Sequence, residues 1–264
     1  MLTNYNKTMK YTAIIILFFV SNFTFGQNTH EIQTMLKGHL KKMAYYKYDS
    51  PNDDSVMIEN AHFKRLLLKD LSENPSSTLT SSFSMVVKEG LLIATSDDGL
   101  FRIYSWDTQT GGTMRFYDNV FQYSSGGKVY YKTNDKDTSG IGDPLSWYSE
   151  IQTLENGGKT YYLGVYNADY SNRDKAQGIK FFTIENGVLN TDVKLAKTSE
   201  GTANELGIGY DFFSVPDNNE RPFKLVVYNP DKKTITMPIV DENSKITNKL
   251  TTYKFKNGYF EEVK

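Results

Sequence analysis

Phe101-Arg102-Ile103-Tyr104-Ser105-Trp106-Asp107 is the stretch on which the fold of this chain turns. Aromatic and β-branched residues dominate it, and it ends aromatic-then-Asp, as a strand running into a tight turn does. It aligns with Tyr161-Tyr162-Leu163-Gly164-Val165-Tyr166-Asn167 and again with Phe223-Lys224-Leu225-Val226-Val227-Tyr228-Asn229, at steps of roughly sixty residues. A second marker keeps step: Gly127, Gly187 and Gly258 each follow an aromatic run. Asn186-Gly187 and Asn257-Gly258 are the strongest kind of short-range hairpin signal, because both central residues of such a turn need positive φ. Between Pro230 and Thr252 the third copy is longer by roughly nine residues, which reads as a loop insertion.

Working outward, the pattern before the repeats is helical. Asn28 with Glu31 three residues on resembles a capping box, and Ile32, Met35, Leu36, Leu40 and Met43 follow at helical spacing. Ser50-Pro51-Asn52-Asp53 predicts a second start, with Ser50 as N-cap and Pro51 at the first helical position. Val56, Phe63, Leu66, Leu67 and Leu71 are its stripe, and Pro75 is its stop. The short connection makes residues 27–75 an antiparallel helical hairpin. Strand patterning begins at Leu79, so residues 76–264 form a repeated antiparallel β domain, one compact unit with the helices. The expected fold is mainly β: the hairpin followed by three antiparallel units of about 60 residues, arranged either propeller-like or as a β-sandwich.

Residues 1–26 read as a signal peptide. Met9-Lys10 places a charge directly before the apolar run Ala13-Ile14-Ile15-Ile16-Leu17-Phe18-Phe19-Val20, which makes Met9 a better start than Met1. The run is far shorter than the about twenty residues a bilayer core demands, and cleavage after Gly26 leaves no stable membrane insertion. The expected location is secreted or periplasmic. The formal net charge of −1 gives no electrostatic reason to bind nucleic acid. With no cysteine there is no disulfide framework, thiol nucleophile or Cys-ligated zinc. A chain of this size buries enough of its own surface to fold without those staples.

The three histidines, His30, His39 and His62, all lie in the hairpin. A Ser-His-Asp triad centred in the β region is thereby excluded unless the hairpin supplies the base. Three His on two helices can in principle meet around zinc, but no H-x-x-x-H spacing announces it, so His39 reads first as a boundary residue of its helix. For calcium, the candidate loop runs from Asp135 to Asp143. Asp135, Asp137 and Ser139 occupy ligand positions 1, 3 and 5, Gly140 the sharp turn, Ile141 the carbonyl position and Asp143 position 9. Ser146 stands where a bidentate Glu should close the shell, and a solvated Asp/Gly turn is the plainer reading.

Polar and aromatic residues are densest from Ser96 to Arg115. Trp106 with Arg102, Asp107 and Arg115 has the composition of a sugar platform, a ring to stack on a pyranose face and charges to bind hydroxyls. The plainer reading is that Trp106 is core, Asp107 caps the turn, and Gly111-Gly112 shape a hairpin loop. Over residues 96–123 the chain resembles a set of uncharacterised exported bacterial proteins with an F-R-I-Y-S-W-D-T-x-T-G-G-T-M stretch. That resemblance implies no activity. Asp97, Asp98, Asp107, Asp143, Glu150 and Asp211 are available to a glycoside hydrolase, whose test is a separation in space. No P-loop, dinucleotide fingerprint, G-x-S-x-G or H-E-x-x-H occurs. The sequence therefore points to an exported, non-enzymatic binding or interaction module for carbohydrate or another envelope component, with no required cofactor. A carboxylate-dependent secreted hydrolase and a structural envelope protein are the alternatives.

Overall fold

A computed structural model describes residues 29–133, 146–216 and 220–263. Helix α1 (29–44) runs into a π-helical turn, Tyr45–Asp49. Helix α2 (Asp53–Glu73) starts two residues later than its Ser-Pro signal suggests. Asn52 is the cap, accepting from the Ser55 N–H at 2.9 Å, which satisfies one of the donors left free at a helix start. Ile32, Leu36, Leu40 and Met43 of α1 and Val56, Phe63, Leu67 and Leu71 of α2 are buried. Met35, expected in the stripe, is 44% exposed.

Pro75 ends α2 and also opens another helix. Two short helices, α3 (Pro75–Thr80) and α4 (Ser84–Val87), occupy the region expected to begin the strands. The first is held by tertiary bonds: Arg102 Nη1 donates to the carbonyls of Thr78 (2.8 Å) and Ser81 (2.6 Å), and Gln122 Nε2 to that of Pro75 (2.9 Å). Those to Thr78 and Ser81 lie at the C-terminal end, where a short helix leaves carbonyls unpaired.

Among the described residues the strands form three sheets, and none closes on itself. The first is an antiparallel meander of β1 (Leu92–Thr95), β2 (Phe101–Asp107), β3 (Tyr117–Ser125) and β4 (Lys128–Thr133). The second joins β5 (Trp147–Asn156), β6 (Lys159–Asp169) and β7 (Asp174–Glu185), with β8 (Val188–Asn190) and β11 (Glu205–Asp211) both on β7. In the third, β9 (Ala196–Thr198) and β10 (Gly201–Ala203) precede β12 (Val227–Asn229), β13 (Thr234–Val240), β14 (Ile246–Lys256) and β15 (Tyr259–Glu262). Its order is β10-β9-β15-β14-β13-β12.

Gly127, Gly187 and Gly258 sit in equivalent hairpins, β3–β4, β7–β8 and β14–β15, all at positive φ. The other marker is equivalent only twice. Phe101–Asp107 is the second strand of its meander and Tyr161–Asn167 lies within the second of the next, whereas Phe223–Asn229 leads into β12, the first of the β12–β15 run. The strand that corresponds by order is β13, so most of the supposed loop insertion is strand. An aromatic strand looks alike from strand to strand; a positive-φ turn marks one place in the meander.

Four layers follow from side-chain parity. Tyr104, Trp106 and Val120 face the helices, while Phe101, Ile103, Phe121 and Tyr123 face Tyr148, Ile151, Tyr162 and Phe182 of the second sheet. That sheet turns Leu163, Val165, Ile179 and Phe181 to Tyr228, Ile235, Met237, Phe255 and Phe260 of the third. Strands buried on both faces lose the apolar/polar alternation, which is why Phe101–Trp106 is buried throughout. At Gly178 a Cβ would lie 2.5 Å from the Tyr166 hydroxyl and 2.6 Å from the Leu206 carbonyl, so the ring of Tyr166 can cross the sheet there. No helix among the described residues is long and apolar enough to cross a membrane.

Candidate functional site

Strand ends build the site. β5 enters at Trp147-Tyr148-Ser149, β6 leaves at Asn167-Ala168-Asp169, β7 enters at Lys175-Ala176, and β11 leaves at Tyr210 into the 3₁₀ turn Phe212–Ser214. Together with Leu92 and Ile93 of β1 and Arg221-Pro222-Phe223 ahead of β12, they line a cleft of about 490 Å³. That volume suits a small organic ligand.

The apolar floor carries rings. Phe212 and Phe223 lie 5.5 Å apart, Trp147 packs 6.3 Å from Tyr117, and Arg221 stands over Phe223 at 4.1 Å. Trp147 is partly buried and keeps a share of its surface exposed. Burial pushes the Tyr210 hydroxyl up to about 12, and it is a neutral hydrogen-bonding group at physiological pH.

Buried amides hold the walls. Gln177 Nε2 donates to Asn167 Oδ1 (2.7 Å) and the Phe223 carbonyl (2.5 Å), and its Oε1 accepts from the Leu225 and Val226 N–H groups (both 2.8 Å). One side chain thus pins the 223–226 segment to the second sheet, and Phe223 with it. Asn167 Nδ2 donates in turn to Ser149 Oγ at 3.0 Å. A network satisfied this completely is rigid.

Asp169 is the carboxylate of the lining. Its Oδ2 accepts from the Tyr117 hydroxyl at 2.7 Å, and its Oδ1 from Lys175 Nζ. Both oxygens are engaged, and among the described residues the lining includes neither a second carboxylate nor a histidine. Such a wall can bind and orient. Among the described residues it does not bring together the paired acids that glycoside hydrolysis uses.

Of the residues the sequence singled out, Trp106 is enclosed. It is 0% exposed, packs 4.9 Å from Phe63, and donates through Nε1 to Asn60 Oδ1 at 2.7 Å. A stacking platform needs an open face, so Trp106 is core and the platform expected there is not formed. Arg102, 7% exposed, is spent on the α3 carbonyls and on Thr95 Oγ1 at 2.9 Å. Asp107 and Arg115 do meet: Arg115 Nη1 donates to Asp107 Oδ2 and to the Tyr48 hydroxyl, both at 3.1 Å. Asp107 also accepts from the Gln109 N–H at 2.8 Å, capping its turn. Burial raises the Asp107 carboxyl above its usual range although Arg115 opposes that shift. The pair borders the cleft without lining it, since the Arg115 N–H donates to the Asp169 carbonyl at 2.9 Å.

The other carboxylates are dispersed. Asp98 accepts from Ser96, the Leu100 N–H and the Tyr162 hydroxyl; Asp211 pairs with Arg173; Glu150 is exposed beside Gln152. Asp135, Asp137, Ser139, Ile141 and Asp143, the calcium candidates, lie outside the described residues. Sequence reading missed Trp147, Asp169, Lys175, Tyr210, Phe212, Arg221 and Phe223. The legible signal was positional: all stand at the ends of strand-like runs, where backbone pairing stops and side chains become available.

A scan against protein-family models, a search of curated proteins and a search of solved structures each return no significant match for this chain.

Proposed function

We propose that this chain is an exported, non-enzymatic binding module whose ligand is a carbohydrate, held in the cleft between Trp147 and Phe223. The observation that carries the reading is the combination of a partly exposed Trp147 with a ring-lined floor and the charged groups of Lys175, Asp169 and Arg221 in the lining. Aromatic faces accept the C–H face of a sugar, and the charged groups supply donors and acceptors for its hydroxyls. The charged apolar leader before Gly26 supports export, where cell-envelope glycans are the available partners.

Binding is favoured over hydrolysis because Asp169, the one carboxylate among the described residues of the lining, is tied to Lys175 and Tyr117. The test is a glycan array followed by calorimetry on the best ligand. Trp147→Ala should weaken binding about tenfold or more, the scale expected of a lost aromatic contact near 1.4 kcal/mol. Arg221→Ala, at an exposed position, should weaken it with no change in folding. A wild-type chain that binds no glycan refutes the reading, and release of free sugar would move it to the hydrolase class.

A further inference from the structure

Away from the cleft, the helical hairpin gathers three side chains that nothing in the binding reading uses. His39 of α1 faces Glu59 and His62 of α2, and one ligand atom from each lies within 4.8 Å of the other two. Glu59 and His62 are three residues apart, one helical turn, so both project toward α1. His39 Nδ1 stands 2.5 Å from Glu59 Oε2, and the two imidazoles meet edge-to-face with centroids 5.6 Å apart. Among the described residues, no hydrogen bond occupies either ring nitrogen of His62. We propose that His39, Glu59 and His62 form a binding site for a divalent transition metal of the zinc class.

The donor set is two imidazoles and one carboxylate, which suits zinc and leaves one position of a tetrahedral shell to water. Ligand atoms around zinc stand about 3.3 Å apart, from bond lengths near 2.0–2.1 Å. The three groups are therefore within a rotamer adjustment of that geometry, with His39 and Glu59 parting slightly as the metal enters between them. Lys42 Nζ, 3.4 Å from Glu59 Oε1, is the competing cation; its side chain is 58% exposed and can turn to solvent. The two histidines are partly accessible and Glu59 is almost covered, so the ion enters past the imidazoles. The site bridges α1 to α2, and in a chain without cysteine a metal clasp supplies the cross-link that a disulfide would otherwise give.

The test uses untagged protein equilibrated with zinc, dialysed and analysed for metal, with thermal unfolding measured in parallel. One zinc per chain should be retained, and unfolding should move up by several degrees with zinc and return with chelator. His62→Gln should lose at least tenfold in zinc affinity and the zinc-dependent shift, while its metal-free unfolding stays at the wild-type temperature, because the His39–Glu59 bond remains. Glu59→Gln should also lose affinity, since the amide can still pair with His39 yet carries no charge. His30→Gln, on the same helix but outside the cluster, should bind as wild type does. Wild-type protein that retains no zinc overturns the proposal. So does a His62→Gln or Glu59→Gln chain that retains as much as wild type, which would leave His39–Glu59 as a structural ion pair only.

Discussion

The two tryptophans divide the molecule into two kinds of aromatic region. Trp106 sits in the middle of a sheet covered on both sides, with α1 and α2 over one face and the second sheet under the other. Trp147 starts a strand at a junction where three sheets come near without sealing. The same side chain is core in one place and cleft wall in the other. What differs is what covers the ring: Trp106 points into the helix layer and packs on Phe63, whereas Trp147 stands at the cleft and keeps part of its surface exposed.

The largest effect should come from Trp106→Ala, which empties the space beside Phe63 and leaves Asn60 Oδ1 without its donor. A loss of about 3–5 kcal/mol is expected by denaturant unfolding. Trp147→Ala should cost about 1 kcal/mol or less in the same assay, as a half-buried substitution, while glycan binding falls. Equal costs at the two sites would break the distinction between them.

Next in size, Gly178→Ala forces a Cβ against Tyr166 and the Leu206 carbonyl, for which overpacking predicts about 1–3 kcal/mol. Because Gln177 is adjacent, this variant also reports whether the inner sheet holds the cleft wall. Weakened glycan binding in a still-folded protein would join the two regions, and unchanged binding would separate them.

Asp70 sharpens the core side through pH. It lies in the helix layer with Oδ1 accepting from Asn74 at 2.8 Å and with Oδ2 buried and unbonded. Burial raises its carboxyl above the ordinary value of 3.8. A raised folded-state value means that the native protein binds its proton more tightly than the unfolded chain does. The ionised form is thus a penalty, present in full above the folded-state value and removed as pH falls through it toward the unfolded value. Asp70→Asn should be at least as stable as wild type at pH 7 and should lack that acid-side gain. An Asn variant that is less stable at pH 7 would show that the carboxylate is wanted there. The smallest effect belongs to Arg115→Ala at the cleft border, about 1 kcal/mol or less for a half-exposed pair with Asp107, with glycan affinity nearly unchanged.

Much of the fold was legible because local signals coincided with global ones. The apolar stripes of α1 and α2 are buried nearly as spaced, and the Asn-Gly turns do close hairpins, because positive φ at two successive residues admits little else. The helices at Pro75–Thr80 and Ser84–Val87 were not legible. Neither is long enough to stand alone, and the first is held by Arg102 and Gln122 from strands to which no local rule connects it.

Residue chemistry by itself determined that this chain is a helical hairpin followed by antiparallel sheets, because periodicity and turn residues act over a few neighbours. It also named residues rich in chemistry. Tertiary structure alone decided which of them face solvent: it enclosed Trp106 and Arg102, left Trp147 ajar, and brought His39 to Glu59 and His62 across two helices. Burial and the meeting of side chains distant in sequence depend on how layers stack, and stacking is a property of the whole chain.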